Sequence, residues 1–255
     1  MNIKYATYVD HQAEIQFPVE FLSKGIPGLL VYCSDAENQK VLLSSGVSAE
    51  VVGFKISSPS DVGDAQNLCV DKVFRDHNPD FVVWVQADMC VTSVGHEKIR
   101  EYCEGNLGCD GAACLRIHHL RLFIPTIGTV FGVTVIGRNS GERFLGDGAY
   151  VGVFDVIEPP GDVPLVVDIG YLTIEQYKRH RRRHIITWAD DRNERAKRAD
   201  GFGDLEYLEF VLDRDKDILV DNKVVPRGSY LHDFIVKMGL GSEYDRVERL
   251  FCFRS

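Results

Sequence analysis

Phe81-Val82-Val83-Trp84-Val85-Gln86-Ala87-Asp88-Met89-Cys90-Val91-Thr92 decides how this chain is read. Five apolar residues in a row predict a strand buried on both faces, as in a sheet covered by helices. The run ends abruptly in a polar cluster with one carboxylate. Open α/β sheets bind ligands at the carboxyl ends of their strands. Asp88 is therefore the first candidate to hold a metal or a phosphate-bound metal. An aspartate there can equally cap the turn that follows.

The elements around this strand alternate. Residues 3–9 read as a strand, 17–23 as a short helix and 28–34 as a second strand. A helix over 37–45 and a third strand over 50–54 follow. Ser58-Pro59-Ser60-Asp61 has the form of a helix start, with Ser58 as cap and Pro59 at the first helical position. Val62, Ala65, Cys69 and Val73 then recur at helical spacing. A further helix is predicted over 94–102. Strands separated by helices of this length imply a mostly parallel sheet with helices on both faces. Residues 110–168 are rich in Val, Ile, Gly and Phe and read as several strands and loops, partly antiparallel. Thr173 and Gln176 form a capping box for a helix through a basic segment, and helices are predicted at 205–212 and 230–237.

Composition sets bounds on function. A chain of 255 residues at net charge −9 is not a general polyanion binder. Residues 178–198 carry nine Lys or Arg against three acids, which leaves the remainder at −15. Such asymmetry can mark a phosphate or nucleic-acid site. The seven cysteines are odd in number and show no C-x-x-C spacing, so neither a disulfide framework nor a zinc ribbon is indicated, and a reducing cytoplasm fits. The N-terminus lacks the apolar run of a signal peptide, and the longest uncharged run, 122–137, is too short and too glycine-broken for a membrane span.

With the elements in this order, the N-terminal half resembles the nucleotide-sugar-binding half of a GT-A glycosyltransferase of the family-2 kind. The resemblance is carried by Leu30-Val31-Tyr32-Cys33-Ser34-Asp35, by Asp64-Ala65-Gln66-Asn67-Leu68-Cys69 and by Phe81 to Thr92. It covers residues 1–105, is looser over 110–190 and weak beyond. It implies an α/β fold: a GT-A-like mixed, mostly parallel sheet flanked by helices. Residues 1–172 would be the catalytic domain, with a nucleotide-sugar half (1–105) and an acceptor half (106–172). Residues 173–255 would be a helical extension packed on it.

The resemblance also implies a site. Asp10 and Asp35 would meet the nucleoside, and Asn67 would approach the donor. The D-x-D motif reads Gln86-Ala87-Asp88, so its first acid is an amide. Asp168, in Val167-Asp168-Ile169-Gly170-Tyr171, stands where relatives place a metal-binding histidine and would supply the missing carboxylate. Oxygen ligands suit Mn²⁺ or Mg²⁺, and a diphosphate-bound cation needs only one or two protein carboxylates. Asp147, in a glycine-flanked loop, is the candidate base for the acceptor, with Glu142 next. Arg182, in the run 178–184, would meet the donor diphosphate.

Other candidates carry less. His118 and His119 lie side by side on a strand and so point to opposite faces. His180 and His184 have chelating spacing, but three arginines lie between them. Trp188 and His232 have core roles open to them as well as functional ones. The expected activity is transfer of a sugar from a UDP-sugar or other NDP-sugar to an unidentified acceptor, a glycan or a modified nucleic-acid base. Two other classes compete. One is a catalytically degenerate GT-A-like protein that binds nucleotide sugars or nucleic acid. The other is a sugar nucleotidyltransferase, which would need a Gly-rich phosphate loop where this chain has Asp10-His11-Gln12-Ala13.

Overall fold

The computed structural model describes residues 1–10, 25–58, 60–109, 111–128, 132–140, 143–146, 149–152, 154–161, 163–178, 201–214 and 223–254. The predicted helix over 17–23 lies outside the described residues. The chain divides into two compact units. The first comprises residues 1–117 and 128–168, the second 118–127 and 169–255. The break after Asp168 falls four residues before the expected boundary at 172, and the second unit also takes in residues 118–127.

The first unit is built on seven strands: β1 (Ile3–Val9), β2 (Leu30–Cys33), β3 (Glu50–Val51), β4 (Phe81–Val85), β6 (Ala112–Leu115), β9 (Val133–Gly137) and β12 (Asp155–Ile157). Their order is β12-β6-β9-β4-β1-β2-β3. β1 runs parallel to β2 and β4, and β2 runs parallel to β3. β9 alone opposes its neighbours β4 and β6, while β12 follows β6. The expected mixed, mostly parallel sheet is therefore present. All five residues of β4 are buried, because β1 and β9 cover its edges and helices cover its faces.

On one face lies α2 (Ser60–His77), which sets Ala65, Cys69 and Val73 against Ala6, Val82 and Trp84. On the other lies α3 (Ser93–Gly105), which sets Ile99 and Cys103 against Phe81, Val83 and Val85. The shorter α1 (Ala36–Ser44) buries Leu42 beside Val9 and Cys33. At the start of α2, the Asp61 carboxylate accepts the N–H of Ser58, the residue expected to cap the helix. The third strand is shorter than expected: after Val51 the chain passes through Gly53 at φ +71° and leaves the ladder. A short antiparallel pair, β5 (Met89–Val91) with β13 (Val166–Asp168), completes this unit together with the hairpin of β10 (Arg143–Leu145) and β11 (Ala149–Val151). All seven cysteines are free, and five of them are buried.

The second unit holds α4 (Asp204–Arg214), α5 (Tyr230–Lys237) and α6 (Gly241–Arg254). The predicted capping box is present: Thr173 N–H donates to Gln176 and Gln176 N–H to the Thr173 hydroxyl, each at 3.1 Å. Residues 118–127 enter this unit as most of β7 (Ile117–Arg121) and β8 (Ile124–Gly128). Leu122 and Phe123 join the two strands, both at positive φ (49° and 63°) and both buried. Bulky residues rarely adopt this conformation. Here the Leu122 N–H donates to Tyr171, and the Val225 N–H donates to Phe123. The Phe123 ring meets Tyr244 edge to face.

Candidate active site

Because β1, β2 and β4 are parallel, their carboxyl ends share one rim of the first unit. The chain passes from β1 to β2 and β3 on one side, then returns to place β4 on the other. Such a reversal opens a crevice outside the strand ends. Asp10 follows β1, Asp35 stands two residues after β2, and Asp88 three residues after β4.

Asp10 is 6 % exposed. Its carboxylate accepts the Ile56 N–H at 3.2 Å and the Tyr8 hydroxyl at 3.3 Å. The same hydroxyl donates to the Phe54 carbonyl, and burial pushes its pKa up. Asp10 thus orders the 54–56 segment beside the rim. Asp35 caps α1 by accepting the Asn38 N–H at 2.9 Å. That bond, more than the neighbouring Ser34 hydroxyl, holds its pKa below the ordinary carboxylate value. Both the capping role and the rim position are therefore real for Asp35.

Sequence reasoning missed Asn38. Its buried amide donates to the Asp10 carbonyl at 2.9 Å and to the Ser34 hydroxyl at 2.7 Å, and its Oδ1 has no partner. One side chain thereby ties the end of β1 to the end of β2. A polar residue three positions after a helix cap was the available signal.

Asp88 is half-buried in the turn from β4 to β5, which closes through Met89 N–H to the Gln86 carbonyl at 3.0 Å. The Gln86 N–H donates to Gly132 at 2.9 Å. Asp168 is 4 % exposed and pairs directly with Met89, the residue after Asp88. The backbone of Asp168 thus lies across from the chain neighbour of Asp88. Thr92 fastens this pairing. Its N–H donates to Leu165 at 2.9 Å, its hydroxyl to Pro164 at 2.7 Å, and the same oxygen accepts the Gly95 N–H to cap α3. Gly95 is required there, since a Cβ would lie 2.2 Å from the Leu165 oxygen.

Among the described residues, no three His, Cys, Asp or Glu side chains are grouped to hold a metal ion. An all-protein cage is thus missing from these residues; Asp88 and Asp168 each offer the oxygen-donor chemistry that a hard cation takes.

Asn67, on α2, commits both ends of its amide to the Phe144 backbone, at 2.9 and 3.0 Å. Asp147, Glu142, Arg182, His180, His184 and Trp188 lie outside the described residues. Of the basic run only Lys178 is described, and its ammonium lies 4.8 Å from the Tyr207 ring centre. His119 belongs to the second unit, as does His232, whose ring meets Tyr244 at 4.9 Å. No described helix is long and apolar enough to cross a membrane.

No family model matches the chain, and no curated protein matches it. Among solved structures, the chain is similar to TarS 1–349 of S. aureus at 9 % identity, covering 100 % of this chain and 92 % of that one, with a TM-score of 0.44. It is similar to CMP:2-keto-3-deoxy-manno-octonic acid synthetase complexed with CTP at 10 % identity, with 55 % and 76 % covered and a TM-score of 0.40. It is also similar to glucosyl-3-phosphoglycerate synthase of Mycobacterium tuberculosis in complex with Mn²⁺, UDP-glucose and phosphoglyceric acid, at 11 % identity, with 54 % and 57 % covered and a TM-score of 0.33. These are GT-A-like glycosyltransferase and nucleotidyltransferase structures, the class that the N-terminal half resembles in sequence. With TM-scores below 0.5, fold and site rest on the chain's own strand order and residues.

Proposed function

We propose that this protein is a glycosyltransferase that draws on a nucleotide-sugar donor, with the donor lying across the carboxyl rim of the first unit. The observation that supports this reading is the pairing of buried Asp168 with Met89, the chain neighbour of Asp88, next to the switch point between β1 and β4.

Asp88 and Asp168 would hold Mn²⁺ or Mg²⁺. Bound there, such a cation neutralises charge on the diphosphate leaving group. The chain's own residues do the rest. Asp10 and Asp35 accept hydrogen bonds from the nucleoside. Gln86, neutral where the motif has an acid, hydrogen-bonds without adding charge. Asn67 supports the donor side through its hold on the Phe144 backbone. Asp147 is the proposed base that takes the acceptor proton, and Arg182 the proposed partner of the diphosphate. A nucleic-acid acceptor engaged through 178–198 is one option for the second substrate, a glycan the other.

A thermal-shift screen of UDP-, GDP- and CMP-sugars with and without Mn²⁺ tests the reading. A donor at a hundredfold excess over its dissociation constant stabilises the native state by about 2.7 kcal/mol. At least one donor should raise the melting temperature, and Asp88→Asn and Asp168→Asn should each remove the Mn²⁺-dependent part. If no nucleotide sugar shifts the unaltered protein, the donor reading fails. Release of pyrophosphate from a nucleoside triphosphate and a sugar phosphate would assign a nucleotidyltransferase instead.

A further inference from the structure

Asn38, Ser34 and Asp35 form a hydrogen-bonded chain whose direction one atom fixes. The Asp10 carbonyl can only accept, so the Asn38 atom that lies 2.9 Å from it is the amide nitrogen. The same nitrogen gives its other proton to the Ser34 hydroxyl oxygen at 2.7 Å. Ser34 therefore accepts from Asn38 and has its own proton left to give. Asp35 Oδ2, 3.2 Å away, takes it. The order runs from the Asp10 carbonyl through Asn38 and Ser34 to the Asp35 carboxylate.

This order has a cost in stability. It leaves Asn38 Oδ1 buried without a partner, a penalty that an apolar side chain of similar shape would not carry. Proteins retain local costs of this kind at functional sites. What the chain gains is a defined Asp35. Its Oδ1 accepts the Asn38 N–H at 2.9 Å and its Oδ2 the Ser34 proton, so both oxygens are held. The Asn38 bond above all favours the ionised form. Each oxygen of an ionised carboxylate can accept a second bond. Asn38 and Ser34 are 5 % and 3 % exposed, whereas Asp35 is half-buried at the rim. Two enclosed side chains thus hold a third that solvent reaches.

We propose that Asn38 and Ser34 are positioning residues for nucleotide binding. They act through Asp35, whose carboxylate they keep in one orientation, so that the nucleoside meets a preorganised acceptor. Neither touches the ligand. This rests on the donor reading above, in which Asp35 accepts from the nucleoside.

Calorimetric titration of the full chain with UMP, CMP and GMP tests it. At least one of the three should bind the unaltered protein. Asp35→Asn keeps α1 capped, because asparagine caps as well as aspartate, and should weaken that binding about tenfold. Ser34→Ala and Asn38→Leu should each weaken it by about the same factor, with circular dichroism to check the fold. The double variants decide. In the Asp35→Asn background, Ser34→Ala and Asn38→Leu should each change affinity by less than about twofold, because the group they act through is gone. A merely structural role gives the same factor in both backgrounds. Should Asn38→Leu not fold, the Ser34→Ala cycle decides alone. Unchanged affinity in Asp35→Asn or Ser34→Ala, or factors that multiply in the double variant, overturns the positioning role and leaves nucleotide binding standing. Failure of all three nucleotides to bind the unaltered protein overturns both.

Discussion

Thr92→Val is the sharpest test of how the site is assembled. Valine keeps the branched shape of threonine and puts a methyl in place of the hydroxyl. That hydroxyl is buried, caps α3 through the Gly95 N–H, and donates to the Pro164 carbonyl at 2.7 Å. Loss of an N-cap costs about 1 kcal/mol. A buried carbonyl left without its donor costs about 1–3 kcal/mol more. The Leu165 carbonyl keeps the Thr92 N–H, so it adds little. The extra methyl returns about 0.8 kcal/mol through burial. The net expected loss is about 1–3 kcal/mol. Urea unfolding followed by circular dichroism measures it; with a slope of about 1–3 kcal/mol/M, the midpoint should fall by roughly 1 M at constant slope. Thr92→Ser, which retains the hydroxyl, should lose far less. The loss should reach the site too, because Thr92 joins the end of β5 to the residues that lead into β13 and Asp168. Mn²⁺-dependent donor binding should weaken in Thr92→Val and persist in Thr92→Ser. A midpoint within about 0.2 M of the unaltered protein would refute the double role of this oxygen.

Asp88→Asn should lower donor turnover by at least about a hundredfold while leaving the unfolding midpoint near that of the parent, as steady-state kinetics and urea titration would show. Gly95→Ala should destabilise despite the better helix propensity of alanine, because its Cβ would meet the Leu165 backbone; an overpacking cost of about 1–3 kcal/mol is read as a lower melting temperature. His96 gives a pH signature. Burial, ahead of the Arg100 charge, holds its pKa below the ordinary value, so the unfolded chain takes up this proton at higher pH than the native chain does. Stability from the neutral ring is therefore complete above about 6.5 and declines as pH falls from there toward the lowered native value. His96→Gln should flatten that part of the stability–pH curve, and an unchanged slope speaks against a buried neutral ring.

Elements with a single dominant signal were legible from the chain itself. Ile3–Val9, Phe81–Val85 and Tyr230–Lys237 fall on their expected bounds. The first two are strands of the central sheet, and the third has Ser229 to cap it. The strands between 112 and 168 were expected only as a group, since three-to-five-residue strands take their partners from far along the chain and carry little periodicity of their own. α6 went unread because its buried stripe is thin: Tyr244 and Val247 among many charged residues. At the site, the rim acids were visible as carboxylates after apolar runs. That Asp168 would pair beside Asp88, and that Asn38 would tie two strand ends, depends on register and side-chain reach, which no local pattern encodes.

The Leu122-Phe123 corner bears on how the molecule can be made. A two-residue turn of this kind usually calls on asparagine or glycine, so this hairpin has weak local instructions and depends on Tyr171, Val225 and Tyr244. All three leave the ribosome well after the corner itself. The corner therefore waits, during synthesis, for more than a hundred further residues before its last supports arrive. Trimming the protein after Asp168 in search of a minimal catalytic piece would leave that ten-residue insertion permanently orphaned, with Leu122 and Phe123 exposed as a nucleus for aggregation.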